Sequence, residues 1–169
     1  MTTLLLVRHG ETDWNAEGRL QGHTDRPLSD YGRRQAQQLA GELEDEDLEA
    51  IYSSDLERAR ATAEAVARSQ GLEVLVDPDL REKNFGSWEG LTDVEIAQRL
   101  PDAVRGGWGD GETSDEVATR VLGALERIRS RHNGAVLVVA HGGSLRSILA
   151  HLGVEHGRIG NCELFRVRY

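Results

Sequence analysis

The sequence predicts an α/β fold: a three-layer α/β/α sandwich around a mainly parallel central sheet with one antiparallel edge strand, formed by residues 1–169 as a single domain. Three observations carry this. Short all-apolar runs recur along the chain, and runs without alternation mark strands buried on both faces, as in parallel sheets. Segments with helical periodicity separate them. The last apolar segment alternates instead, as an edge strand with one wet face would. The chain has 169 residues, 38% hydrophobic and 29% charged. That is enough to bury a core, and globular rather than disordered in composition.

In order, Leu4 to Val7 reads as the first buried strand. A polar loop from His9 to about Leu28 follows, punctuated by Gly10, Gly18, Gly22 and Pro27, and loops of that length are usually functional. Ser29 can cap a helix whose inner face is Ala36, Leu39, Ala40 and Leu43. The acidic stretch from Glu42 to Glu49 reads as a solvated turn. A second strand runs from Ala50 to Ser53. Ser54 with Glu57 has capping-box spacing and opens a helix with Leu56, Ala59, Ala63 and Val66 inward. Val74 to Val76 is a third strand. Thr92 with Glu95, and Thr113 with Glu116, are further capping boxes. The second opens a helix with Val117, Val121, Leu125 and Ile128 inward. Ala135 to Ala140 is the strongest strand, followed by a helix burying Leu145, Ile148, Leu149 and Leu152. Leu164 to Tyr169 is the alternating edge. No linker, repeat or low-complexity segment interrupts this order.

Charge and composition exclude some functions. The net charge is −9, which disfavours nucleic acid and anionic membranes as partners. Any attraction for an anionic substrate must come from local arginines; Lys83 is the only lysine. Cys162 is the single cysteine, so no intrachain disulfide forms, and it reads as a small buried hydrophobe. No run has the length of a signal peptide core or a membrane span, and a cytoplasmic location is expected.

In parallel α/β folds, reactive groups sit beyond the carboxyl ends of the strands. The first strand ends at Arg8-His9 and the strongest at His141-Gly142-Gly143. The second strand leads into the helix carrying Arg58, and the third into the loop carrying Arg81, Glu82 and Lys83. Two histidines, arginines and a carboxyl thus reach one edge of the sheet. Arginine forks match phosphate oxygens. An unprotonated histidine is a competent nucleophile, and Arg8 and Arg58 would hold His9 in that form. Glu82 could protonate a leaving alkoxide. Glu89 competes for that role, with Glu11 and Asp13 as further candidates. Gly142 and Gly143 open a helix whose first N–H groups can meet an anion. No cluster of metal-ligand type accompanies the histidines, and no cofactor is expected. Arg60 and Arg68 read as surface residues. His23, His132, His151 and His156 read as solvated or packing residues, and so do Trp14, Trp88 and Trp108, the last with pocket lining as its alternative.

The segment Leu6-Val7-Arg8-His9-Gly10-Glu11-Thr12-Asp13-Trp14-Asn15 resembles the signature of the histidine phosphatase (phosphoglycerate mutase-like) superfamily. Gln21 to Ser29, Ser53 to Thr62 and Ala140 to Gly143 resemble its further motifs, in the family's order. The resemblance implies that His9 becomes a phosphohistidine and that Arg8, Arg58 and His141 surround the phosphate. Asn15, Gln21, Gly22 and the Gly142 N–H would add donors, and Glu82 would be the general acid, without metal. The substrate would be a small phosphomonoester.

Phe85-Gly86-Ser87-Trp88-Glu89-Gly90 resembles the phosphatase form of its loop. The stretch from Leu100 to Gly111 is short and holds only Arg105 as a cation, so a second anion site is expected to be poorly supplied. Hydrolysis is therefore favoured over mutase-type transfer. A non-catalytic phospho-ligand binder and a zinc hydrolase built on the two histidines are the remaining alternatives. The final strand lacks the closing hairpin often seen in relatives. An uncovered edge invites pairing, so a monomer or a homodimer is expected.

Overall fold

The computed structural model describes residues 1–99 and 110–169. Five strands form one sheet: β1 (Thr3–Arg8), β2 (Leu48–Ser53), β3 (Val74–Val76), β4 (Ala135–Ala140) and β5 (Leu164–Arg168), in the spatial order β3-β2-β4-β1-β5. β1, β2, β3 and β4 are mutually parallel, and β5 runs antiparallel along β1. The expected architecture and its antiparallel edge are both present.

The all-apolar runs are explained by burial on two sides. Alternate residues of β1 and β4 enter opposite cores. Leu4, Leu6, Val136 and Val138 pack with Val121, Leu125, Leu145 and Leu149 of α5 (Ser114–Arg131) and α6 (Gly142–His151). Leu5, Val7, Leu137 and Val139 pack with Leu39, Ala63 and Val66 of α2 (Asp30–Glu42) and α3 (Glu57–Gln70). Truncating one of these leucines to alanine costs about 2–5 kcal/mol in a core of this kind. β3 is different: although apolar, it forms an edge whose Leu75 and Val76 remain exposed.

Register places the site. Arg8 lies beside Ala140 across β1 and β4, so His9 and His141 leave adjacent strands at the same level. The His9 N–H donates to the Ala140 carbonyl at 3.0 Å. Ser53 lies beside Val139, which brings Ser54 alongside His141.

Helix starts follow the sequence with one exception. The Ser29 hydroxyl accepts from the Gly32 N–H, and Thr113 and Glu116 form a reciprocal capping box. Thr92 and Glu95 do the same ahead of α4 (Asp93–Arg99). Ser54 and Glu57 do not. α3 starts at Glu57 behind Leu56, and its first N–H is capped by the Asp25 carboxylate, at 3.0 Å to each oxygen. Ser54 is diverted because its hydroxyl lies 2.7 Å from Nε2 of His141. The long loop after β1 also gains a helix the sequence reading lacked, the single turn α1 (Asp13–Ala16), capped by Thr12. The acidic turn is only partly solvated. Leu43 and Leu48 are buried, Glu46 pairs with Arg166, and Glu49 binds His132.

Candidate active site

A cleft of about 390 Å³ opens at the carboxyl ends of β1, β2 and β4. It is lined by Arg8, His9, Asn15, Gln21, Gly22, Arg58, Glu82 and Gly142. These expected site residues therefore come together, and His141 stands directly behind them. The His9 and His141 rings lie with centroids 5.1 Å apart at 56°.

His9 is almost wholly buried. Its Nδ1 lies 2.7 Å from the Gly10 carbonyl. A carbonyl can only accept, so Nδ1 carries the proton and Nε2 keeps its lone pair. Burial, then the charges of Arg58 and Arg8, push the imidazole well below its ordinary pKa near 6.5. His141 is pushed down in the same way, by burial first and then by Arg58, His9, Arg8 and Arg120. Both rings are neutral at neutral pH.

The two arginines are locked by backbone carbonyls. Arg58 is fully buried and donates from Nη1 to Thr24 and from Nη2 to Gly22, at 3.0 and 2.7 Å. Arg8 donates from Nη1 to the Ile159 carbonyl at 2.7 Å. Their Nε atoms and Nδ1 of His141 are buried with no partner among the described residues. Burial holds both guanidiniums below their usual pKa in spite of the Glu82 carboxylate; Arg58 also feels Arg8 as a like charge, and Arg8 feels Arg158 and Arg146. Such a surplus of buried donors is stable only opposite an anion.

The amides are oriented by their oxygens. Asn15 Oδ1 accepts from the Thr12 N–H and from Nδ2 of Asn161. Gln21 Oε1 accepts from the Thr12 hydroxyl. Each side chain keeps its NH₂ donors for the cleft it lines.

Glu82 rests on the first turn of α6. The Gly143 N–H lies 3.0 and 3.1 Å from its two carboxylate oxygens, and its own neighbour's N–H donates at 2.8 Å. A Cβ on Gly143 would stand 2.2 Å from Oε1, so only glycine lets the carboxylate seat there. Glu89, the competing acid, is occupied elsewhere. It accepts from the N–H groups of His23, Thr24 and Phe85 and from the Thr24 hydroxyl, stitching two loops together. Gly22, with φ +57°, lets that carboxylate approach; a Cβ there would meet Oε1 at 2.0 Å. Asp13 pairs with Arg26, and Glu11 accepts from Ser29.

Several residues at the site escaped the sequence reading. Ser54 was assigned to a helix cap. His23, expected to be solvated or packing, donates from Nε2 to the Glu82 carbonyl at 2.9 Å. Arg120 donates to the carbonyls of Asp79, Arg81 and Glu82 while held by Glu112, and so shapes the loop that carries the acid. Its place three residues after Val117 and one before Val121 was the available signal. Asn161 ties the His9 carbonyl to Asn15 and had none. The stretch on which the expectation of a poorly supplied second anion site rests lies mostly outside the described residues; elsewhere on the chain, Arg146 and Arg158 line the cleft. Arg105 and Trp108 lie outside the described residues. Cys162 is half-buried, and burial pushes its thiol up to about 12.

Among the described residues, no group of three or more His, Cys, Asp or Glu side chains is placed to hold a metal ion. No described helix is long and apolar enough to cross a membrane.

Comparison with known proteins agrees with this geometry. The chain is 43% identical over 157 residues to phosphoglycerate mutase-like protein 4 of Arabidopsis thaliana, covering 86% of this chain and 68% of the relative. It is 42% identical over 160 residues to a metal-independent phosphoserine phosphatase of the same plant, covering 88% and 67%. The solved structure of a mycobacterial glucosyl-3-phosphoglycerate phosphatase complexed with VO3 superposes with a TM-score of 0.87. Its sequence identity is 32%, and the match covers 97% of this chain and 90% of that one. Residues 4–169 match the histidine phosphatase superfamily (branch 1), and the chain belongs to that family.

Proposed function

We propose that the protein is a phosphomonoesterase that hydrolyses a small phosphorylated metabolite through a phosphohistidine on His9. The observation that carries this is the neutral His9 ring, with its Nε2 lone pair in a cleft flanked by Arg8 and Arg58 and shared with Glu82. Nε2 attacks phosphorus; the N–P bond forms as the ester P–O bond breaks. The departing alkoxide takes a proton from Glu82. Water then attacks the phosphohistidine, passing a proton back to Glu82, and the P–N bond breaks to release inorganic phosphate and neutral His9.

The arginines and the Nδ1–H of His141 stabilise charge on the equatorial oxygens, with the amides of Asn15 and Gln21 and the Gly142 N–H as neutral donors. These groups are already fixed by carbonyls and by Ser54, so little reorganisation accompanies the reaction. The names of the phosphatase relatives point the same way.

The test is phosphate release from para-nitrophenyl phosphate in the presence of a chelator: turnover is expected in the wild type and absent in His9→Ala. The name of one relative keeps mutase-type transfer in view. Phosphoglycerate interconversion with negligible hydrolysis would replace the hydrolytic reading.

A further inference from the structure

The backbone from His9 to Glu11 is gripped from β4, α2, α3 and the loop before β5. The His9 N–H donates to Ala140, and the His9 carbonyl accepts from Nδ2 of Asn161 at 2.9 Å. The Gly10 N–H donates to the Thr62 hydroxyl at 3.0 Å, and the Gly10 carbonyl accepts from Nδ1 of His9. The Glu11 N–H donates to Oε1 of Gln35 at 2.9 Å, and the Glu11 carbonyl accepts from the Ser29 N–H at 2.8 Å. The hydrolytic mechanism draws on the Gly10 carbonyl, which fixes the proton on Nδ1. What holds that carbonyl therefore bears on the nucleophile.

One peptide group joins Gln35 to His9. The Gly10 carbonyl and the Glu11 N–H belong to the same planar unit. Its oxygen holds the ring, and its N–H is held by Gln35. A peptide N–H can only donate, so the oxygen of the Gln35 amide must face it. The bonds thus run in series, from Nδ1–H through one peptide to Oε1. Bonds in series polarise one another: an acceptor on the N–H draws charge onto the carbonyl oxygen and makes it a better partner for the ring. The carboxylate nearest in sequence, Glu11, is turned instead to the Ser29 hydroxyl.

The helix that supplies Gln35 is fixed against this peptide. A Cβ on Gly32 would stand 2.0 Å from the Glu11 carbonyl oxygen, so α2 meets the loop backbone to backbone. Gln35 lies one turn further along the same face. Ala36 and Leu39 of α2 are buried, which anchors the helix in the core. Gln35 is half-buried and lines a separate cavity of about 230 Å³ with Asn161 and Cys162. It therefore reaches the nucleophile from outside the catalytic cleft.

We propose that Gln35 is a positioning residue for the nucleophile: through the Gly10–Glu11 peptide it holds His9 in the Nδ1–H form and raises the reactivity of Nε2. This rests on the phosphohistidine of the hydrolytic reading. As Nε2 bonds to phosphorus, positive charge develops on the ring and Nδ1–H becomes a stronger donor. The series of bonds is then worth more in the transition state than in the resting enzyme, which is the condition for lowering the barrier. Arg8 and Arg58 act on the phosphate oxygens; Gln35 acts on the attacking atom.

The experiment compares Gln35→Met, which keeps the length and the helix propensity but loses the acceptor, with Gln35→Glu, which keeps an oxygen. We expect kcat/KM for para-nitrophenyl phosphate to fall by about three- to tenfold in Gln35→Met, the scale of one hydrogen bond in a chain. Competitive inhibition by inorganic phosphate is expected to stay unchanged, because Arg8 and Arg58 keep their anchors. Gln35→Glu is expected to recover most of the rate. The Hδ1 proton resonance of His9, identified by its loss in His9→Asn, should move upfield in Gln35→Met and stay near its wild-type position in Gln35→Glu. Wild-type kcat/KM in Gln35→Met overturns the proposal. So does a loss of rate with Hδ1 unmoved, with weakened phosphate binding, or without recovery in Gln35→Glu. A wild type that forms no phosphohistidine overturns the hydrolytic reading instead, and the Hδ1 comparison still decides whether Gln35 acts on the ring.

Discussion

The two ends of the sheet both bond histidine, and they do so in opposite ways: His132 at one end is half-buried, whereas His9 and His141 at the other are buried. At the amino ends of the strands, His132 donates from Nδ1 to Glu49 at 2.8 Å and accepts at Nε2 from the Tyr52 hydroxyl at 3.0 Å. Glu49 also accepts from the N–H groups of Asn133 and Gly134, and these bonds, led by His132, hold its carboxyl below the usual range. Donors and acceptors balance. At the carboxyl ends, His9 and His141 face two arginines, and three buried nitrogens have no partner among the described residues. Folding alone gains nothing from that surplus, since each unmet buried donor costs about 1–3 kcal/mol. A balanced cluster is structure; an unbalanced one of a single sign is a receptor for the opposite sign.

The largest test of that contrast is to remove one hydrogen-bonding group from each end. Arg58→Met is expected to lower kcat/KM by about a hundred- to a thousandfold, the scale of losing one preorganised donor to transition-state charge. Tyr52→Phe, measured in the same assay, is expected to leave kcat/KM unchanged while lowering Tm by a few degrees. A comparable loss of activity in both would erase the distinction.

A smaller effect is expected where the acid is seated. Gly143→Ala places a Cβ 2.2 Å from Oε1 of Glu82 and must displace it. We expect kcat to fall by about ten- to a hundredfold, part of the roughly 10²–10⁴-fold that general acid catalysis supplies, because the acid is displaced rather than removed, with KM little changed. An unaltered kcat would mean that the seat of Glu82 on α6 does not matter.

Ser54→Ala leaves the buried Nε2 of His141 unpartnered, at a stability cost of about 1–3 kcal/mol. We expect kcat to drop with the looser ring, and Ser54→Thr, which keeps the hydroxyl, to recover most of it. A loss of stability alone would reduce Ser54 to packing.

The smallest effect is on pH dependence. His9 and His141 have folded pKa values well below 6.5, so the unfolded chain takes up protons first as pH falls. Their contribution is complete above about pH 6.5 and is lost progressively below it, towards the folded values. Tm should fall on acidification from that point, and His9→Asn should flatten the fall. A Tm that rises on acidification would reverse the sign assigned to both rings.

The layer order and the convergence of His9, His141, Arg58 and Glu82 were legible in the sequence because they follow from strand ends and hydrophobic period. The strands at Leu4 and Ala135 announce themselves by burial on both faces. What stayed hidden depended on register and on distance in sequence. Ser54 has the spacing of a cap, and only its level beside His141 diverts it. Arg146 and Arg158 are exposed residues on a helix and a loop, which one sequence cannot tell from solvated charge. Asn161 reaches back across the whole chain to the His9 carbonyl, and nothing local marks it.

The phosphohistidine itself is the most direct test. Mixing enzyme with a phosphomonoester, quenching in alkali and mapping the phosphoryl group should place an acid-labile, base-stable label on Nε2 of His9, absent from His9→Ala. Turnover without that label, or with the label on His141, would contradict the assignment of His9 as nucleophile.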